Sequence, residues 1–129
     1  MVELTNLKNL QTLRIIAQGP IDLSPVASLS NLQTLWAWGP ITFNTTLLGK
    51  LAKLRELTLQ GWVGRLSTIS DIKTIGELKR LETLTLGQVE ATDLEFVRHL
   101  DNLKGLSLLQ MPVQSLEPLR GLKLLTKYS

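Results

Sequence analysis

Leucines recur along the chain with a fixed beat. Leu10, Leu32, Leu54, Leu81, Leu103 and Leu125 are spaced 22, 22, 27, 22 and 22 residues apart, a period that signals a repeat array rather than a closed globular core. Taking these leucines as column zero aligns the rest of the chain. Three residues on stand Leu13, Leu35, Leu57, Leu84, Leu106 and Tyr128, and two further on stand Ile15, Ala37, Leu59, Leu86 and Leu108. Apolar residues two apart share one face of an extended strand, so each repeat carries a short strand with an inward apolar side. Like strands separated by return segments stack as a parallel sheet. Upstream of column zero the apolar spacing changes to three. Leu7, Leu29, Leu51, Leu78, Leu100 and Leu122 precede it by three residues, and Leu4, Val26, Leu48, Ile75, Val97 and Leu119 by six. Steps of three predict a 3₁₀ or short α-helical return whose apolar stripe packs on the sheet.

Ten residues upstream of column zero the chain reads Asp22, Asn44, Asp71, Asp93 and Ser115. All are favoured helix N-caps, whose side-chain oxygen accepts a hydrogen bond from an orphan N–H of the first turn. Recurrence at one column, with Asn and Ser interchangeable, assigns the aspartates to capping rather than to metal or catalytic chemistry. Pro25 and Pro118 follow this column by three residues and fit a first helical turn.

The stretches DLSPVASLSNLQTL, SDIKTIGELKRLETLTL and TDLEFVRHLDNLKGLSL resemble the leucine-rich repeat family, whose strand segment reads L-x-x-L-x-L-x-x-N/C-x-L. The 22-residue period and the D-L-x-P-V/L-x-x-L-x-N-L return are similar to the internalin class and to a related phosphatase regulatory subunit. The resemblance implies an α/β solenoid: a right-handed arc with a parallel sheet on the concave face and short helices or 3₁₀ turns on the convex face. It also implies a non-catalytic module that binds protein. Alternatives within the resemblance are a structural or oligomerising piece of a larger repeat protein, and an immunity or effector-recognition protein. The chain departs from the family pattern in two places. Eight residues after column zero, where the family usually has Asn, stand Gln18, Pro40, Trp62, Val89 and Met111. The loops must then be held otherwise, by apolar packing in the later repeats and by Gly19-Pro20-Ile21 and Gly39-Pro40-Ile41 in the earlier ones. The third repeat has five extra residues within 61–69, where Gly61 and Gly64 flank Trp62 and Val63, which predicts a protruding loop rather than a longer strand.

The expectation is a single domain over 1–129 with about five repeats and uncapped ends. The terminal segments LTNLKNL and LRGLKLL keep the internal pattern, and open terminal repeats expose apolar surface. That leads to two alternatives, excision from a longer protein or self-association through the ends. The composition, 43% hydrophobic and 19% charged, suits an ordered chain. A net charge of +3 without a Lys/Arg run gives no reason to invoke nucleic acid. No apolar run approaches membrane-spanning length and the N-terminus lacks the apolar core of a secretion signal, so a cytoplasmic location is expected.

Enzyme chemistry has little to work with. There is no cysteine, and the one histidine, His99, falls in a variable polar column with Ser28, Lys50, Glu77 and Gly121, so a solvated surface position is expected. No nucleophile–base pair, dense metal cluster or phosphate-binding glycine loop is present in the sequence. Asn44-Thr45-Thr46 matches a glycosylation acceptor, but the cap column already accounts for Asn44. Catalytic, metal and cofactor sites are therefore expected to be absent.

What remains is surface. Columns two, four and six point away from the apolar side of each strand. Most are small or polar, but Trp36 and Trp38 stand two apart on one strand, with Arg14 and Ile16 beside them on the preceding one. Trp and Arg are enriched at binding hot spots, and exposed apolar patches mark contacts. The expected protein-binding residues are Arg14, Ile16, Trp36, Trp38, Thr58 and Gln60, joined by Trp62 from the inserted loop. The competing reading folds Trp38 over the core edge and stacks Arg14 on Trp36.

Overall fold

The computed structural model describes residues 7–19, 21–61, 68–70, 72–88, 94–111, 113 and 115–128. Six parallel strands form one sheet in the order β1-β3-β5-β7-β8-β9: Thr12–Ile16, Thr34–Trp38, Glu56–Gln60, Thr83–Gly87, Gly105–Leu109 and Lys127–Tyr128. The register is column on column. Leu13, Leu35, Leu57, Leu84, Leu106 and Tyr128 line up across all six strands. The period therefore sets the pairing, and the five-residue insertion leaves it intact, because Glu56 still pairs with Thr83. β5, which precedes the insertion, is no longer than its neighbours. Trp62 and the rest of 62–67 lie outside the described residues.

The returns are 3₁₀ segments, at Ser24–Ser28, Thr45–Lys50, Ile72–Glu77, Glu95–His99 and Glu117–Leu119. Their apolar columns face the sheet, so Val26, Leu29, Leu48, Leu51, Ile75, Leu78, Val97 and Leu100 are buried with Leu32, Leu54, Leu81 and Leu103 in one continuous core. Burial of this stripe, at roughly 25 cal/mol per Å² of apolar surface, is what holds segments too short to be stable alone.

The cap column acts one step further out than expected. The N-cap positions of three returns are Leu23, Leu94 and Leu116, which offer no side-chain acceptor. Asp22 reaches past Leu23 instead: its Oδ1 accepts the Ser24 N–H at 2.9 Å and the Ser24 hydroxyl at 2.7 Å. Ser115 Oγ likewise accepts the Glu117 N–H at 3.1 Å. Both are Asx- or Ser-type turns spanning two residues. They leave the N-cap free for a leucine, which at Leu23 and Leu94 is buried in the core. The Asn44 side chain, Asp71 and Asp93 fall outside the described residues. Pro25 and Pro118 sit in the first turns as expected.

A second sheet was not anticipated from the sequence. β2 (Ile21–Asp22), β4 (Ile41–Asn44) and β6 (Thr68–Ser70) pair in parallel in the order β2-β4-β6. It supplies part of what the missing Asn column would have done for the loops. Main-chain bonds supply more. At column seven the N–H groups of Ala17, Gly39, Gly61 and Gln88 donate to the carbonyls of Trp38, Gln60, Gly87 and Leu109 in the next repeat, at 2.8–3.1 Å. The Gln88 amide also donates to that of Gln110, and both residues hold positive φ. The expected apolar packing is seen at Met111, which lies against the core; Val89 is outside the described residues.

Candidate functional site

The open face of the six-stranded sheet follows directly from strand alternation, because the leucines that point inward fix the direction of the residues between them. Register places Arg14, Trp36 and Thr58 in one row across β1, β3 and β5, and Ile16, Trp38 and Gln60 in the next. Trp36 is half-buried. Its ring meets that of Trp38 edge-on, with centroids 5.9 Å apart and planes at 80°, the arrangement aromatic quadrupoles favour. Trp38 keeps 41% of its surface exposed and its neighbour Ile16 keeps 65%. Trp38 therefore does not close over the core edge. Further along the same row Gln60 lies across Gly87, occupying the space a β-carbon would need, and donates its amide to the Gly61 carbonyl at 3.2 Å. Beyond them Leu109 is 42% exposed. The face thus carries an apolar corner on β1 and β3 that grades into Thr58, Thr85 and Ser107.

The likeness of this array to solved structures identifies its fold. An internalin (inlF) of Listeria monocytogenes matches the whole chain with a TM-score of 0.83 at 28% identity. The chain folds as a leucine-rich repeat solenoid like those of bacterial internalins. A second Listeria monocytogenes protein, internalin C2, matches 99% of the chain with a TM-score of 0.75 at 24% identity. A leucine-rich repeat protein of Leptospira interrogans matches 98% with a TM-score of 0.68 at 22% identity. The last two likenesses show the fold. The chain spans 37%, 54% and 38% of the lengths of these three proteins. No protein-family model and no curated protein matches the sequence significantly.

Leucine-rich repeat arrays act in general as protein-interaction modules, because stacking creates an extended face whose residues are not needed for the core. Of the residues singled out in the sequence, this array brings six together: Arg14, Ile16, Trp36, Trp38, Thr58 and Gln60. Trp62 is outside the described residues. His99 is exposed on the convex side, beside the buried Phe96. Among the described residues no group of three or more His, Cys, Asp or Glu could hold a metal ion, and no helix is long and apolar enough to cross a membrane.

A further set of residues went unremarked in the linear sequence. One residue before column zero, the Asn31 amide donates to the Lys8 carbonyl and the Asn102 amide to the Lys79 carbonyl, each at 2.8 Å. Lys53, at the same column, donates to Asn31 Oδ1 at 2.7 Å. The signal that could have found them is the recurring Asn-Leu pair at Asn9, Asn31 and Asn102.

Proposed function

We propose that this chain is a non-catalytic protein-binding module whose partner seats on the open face of the six-stranded sheet, over Arg14, Ile16, Trp36, Trp38, Thr58 and Gln60. The observation that supports this reading is the exposure of Ile16 and Trp38 side by side in register on β1 and β3. Trp36 braces Trp38 from the inner row, so the anchor loses little rotational freedom on binding. Arg14 sets a charged donor beside the apolar corner, and the hydroxyl and amide groups of Thr58 and Gln60 make a polar flank. Aromatic and arginine anchors inside a polar surround are the composition of interface hot spots.

The test begins with a protein captured from native lysate and then purified. Calorimetric titration should give saturable binding to the wild-type chain. Trp36→Ala with Trp38→Ala should weaken it by about thirtyfold or more, with an unchanged circular dichroism spectrum. If the double variant unfolds, Ile16→Glu serves in its place, since Ile16 contributes least to the core. Binding that survives on a folded variant within about twofold would overturn the proposal.

A further inference from the structure

Read along the chain, charge is dispersed; folded, it is sorted. The residues one before and one after column zero form the rim of the sheet where the 3₁₀ returns lead into the strands. These two columns hold Lys53, Arg55, Arg80 and Lys104 against a single carboxylate, Glu82. Their balance of +3 equals that of the whole chain, and the other ten cations and ten carboxylates cancel. The four cations fall on three consecutive repeats, whose register leucines Leu54, Leu81 and Leu103 lie 27 and 22 residues apart. The Glu82 N–H donates to the Arg55 carbonyl and the Lys104 N–H to the Glu82 carbonyl, both at 2.7 Å, so Arg55 and Lys104 stand two strand spacings apart, about 9–10 Å. All four cations are exposed. Arg55, Arg80, Asn102 and Lys104 line a cavity of about 340 Å³ with Glu82 and Leu124.

Glu82 shows what these cations hold. Its carboxylate meets Arg55 at 3.5 Å and Lys104 at 3.2 Å. Arg80, the third cation of the cavity, has no ion-pair partner among the described residues. We propose that this rim is a docking surface for an acidic segment of a protein partner, with a partner carboxylate on the Arg80 guanidinium and others along Lys53 and Lys104. Guanidinium suits carboxylate because its planar fork can donate two parallel hydrogen bonds. A peptide is favoured over nucleic acid for two reasons. No aromatic side chain stands on either column to stack a base. Glu82 also interrupts the row, and a phosphate chain charged at every unit would face it, whereas a peptide can set an uncharged residue there. None of these residues lies on the open face, so the rim proposal stands or falls independently of that reading.

Fluorescence anisotropy of a labelled decaglutamate peptide tests it on the full chain, with decaglutamine and an oligothymidylate of matched charge as companions. Decaglutamate should bind, decaglutamine should not, and affinity should fall as salt rises. Arg80→Glu with Lys104→Glu should weaken decaglutamate by about tenfold or more, while Lys50→Glu with Lys73→Glu, the same charge change on the 3₁₀ returns, should leave it within about twofold. Trp38→Ala should leave it unchanged. Equal losses in the two charge reversals would reduce the effect to net charge and overturn the proposal, as would absence of decaglutamate binding. Tighter binding of oligothymidylate than of decaglutamate would overturn the assignment to an acidic peptide.

Discussion

Gly39 has a φ of +138°, and a β-carbon there would collide with the Ala17 carbonyl oxygen. Both the backbone conformation and the approach of a neighbouring main chain demand glycine, and neither can relax by swinging a side chain aside. Gly39→Ala should therefore lower unfolding stability by about 1–3 kcal/mol, read from urea denaturation. Gly49→Ala, on an exposed return where the nearest atom is a flexible Glu77 oxygen at 3.3 Å, should stay within about 0.5 kcal/mol of wild type. A similar loss in both would refute the steric account. Asp22 makes a pH-dependent case. The Ser24 hydroxyl, and then the Ser24 N–H, hold its carboxyl below the ordinary aspartate value of 3.8. A depressed folded-state pKa stabilises the fold above the unfolded-state value, and the contribution fades as pH falls through the folded value. Asp22→Ala should thus melt lower than wild type at neutral pH, and the gap should narrow as the buffer is taken below about pH 4. A gap that widened with acid would contradict the carboxylate's role.

At the scale of elements, neighbouring repeats are joined on two sides of each strand. Main-chain bonds at column seven tie one end, and the amides of Asn31 and Asn102 tie the other. Asn31→Ala and Asn102→Ala should each lower stability by about 0.5–1 kcal/mol. Because they serve different repeats, the double variant should show the sum. Chemical denaturation checks this, and a double no worse than either single would mean the amides are not independent ties. These elements differ in how far the sequence discloses them. The leucine columns determine strand positions, register and the inward face of each return, because burial depends on spacing alone. Main-chain acceptors have no spacing of their own, so the Asn column was visible while its partners were not. The second sheet escaped for another reason. The paired residues Ile21 and Ile41 follow their register leucines by 11 and 9 residues, and the paired Thr42 and Thr68 follow theirs by 10 and 14, so partners in this sheet do not share a column.

Across the whole molecule, one core runs through all the repeats without a centre. Each unit leans on its neighbours, and stability is close to a sum of unit and interface contributions. Leu54 is fully buried in the third repeat, whereas Leu122 lies near the end of the described array at 7% exposure. Leu54→Ala should cost about 3 kcal/mol and Leu122→Ala clearly less. Hydrogen exchange should show protection falling in the repeats on either side of Leu54, but only locally for Leu122. Uniform loss throughout the chain in both would indicate an all-or-none core instead. The same linear build explains what was legible of the candidate surface. Alternation along β1 and β3 names the outward Arg14, Ile16, Trp36 and Trp38. How a tryptophan ring lies, and whether it stays open to solvent, depends on neighbours across the sheet and comes only with the folded array.

The bonds between repeats at column seven are made by N–H and C=O groups, which every residue but proline possesses in full. The ties between repeats are thus made by atoms that mutation of a side chain does not change, while the leucine columns set which residues they join. A gene encoding such an array can gain or lose a unit by unequal crossing-over at equivalent columns, and the product re-enters the same ladder. It can also rewrite the open face residue by residue while the leucine columns stay put. Open face and core are in this way inherited on separate positions, and a lineage can change the first without reinventing how it folds.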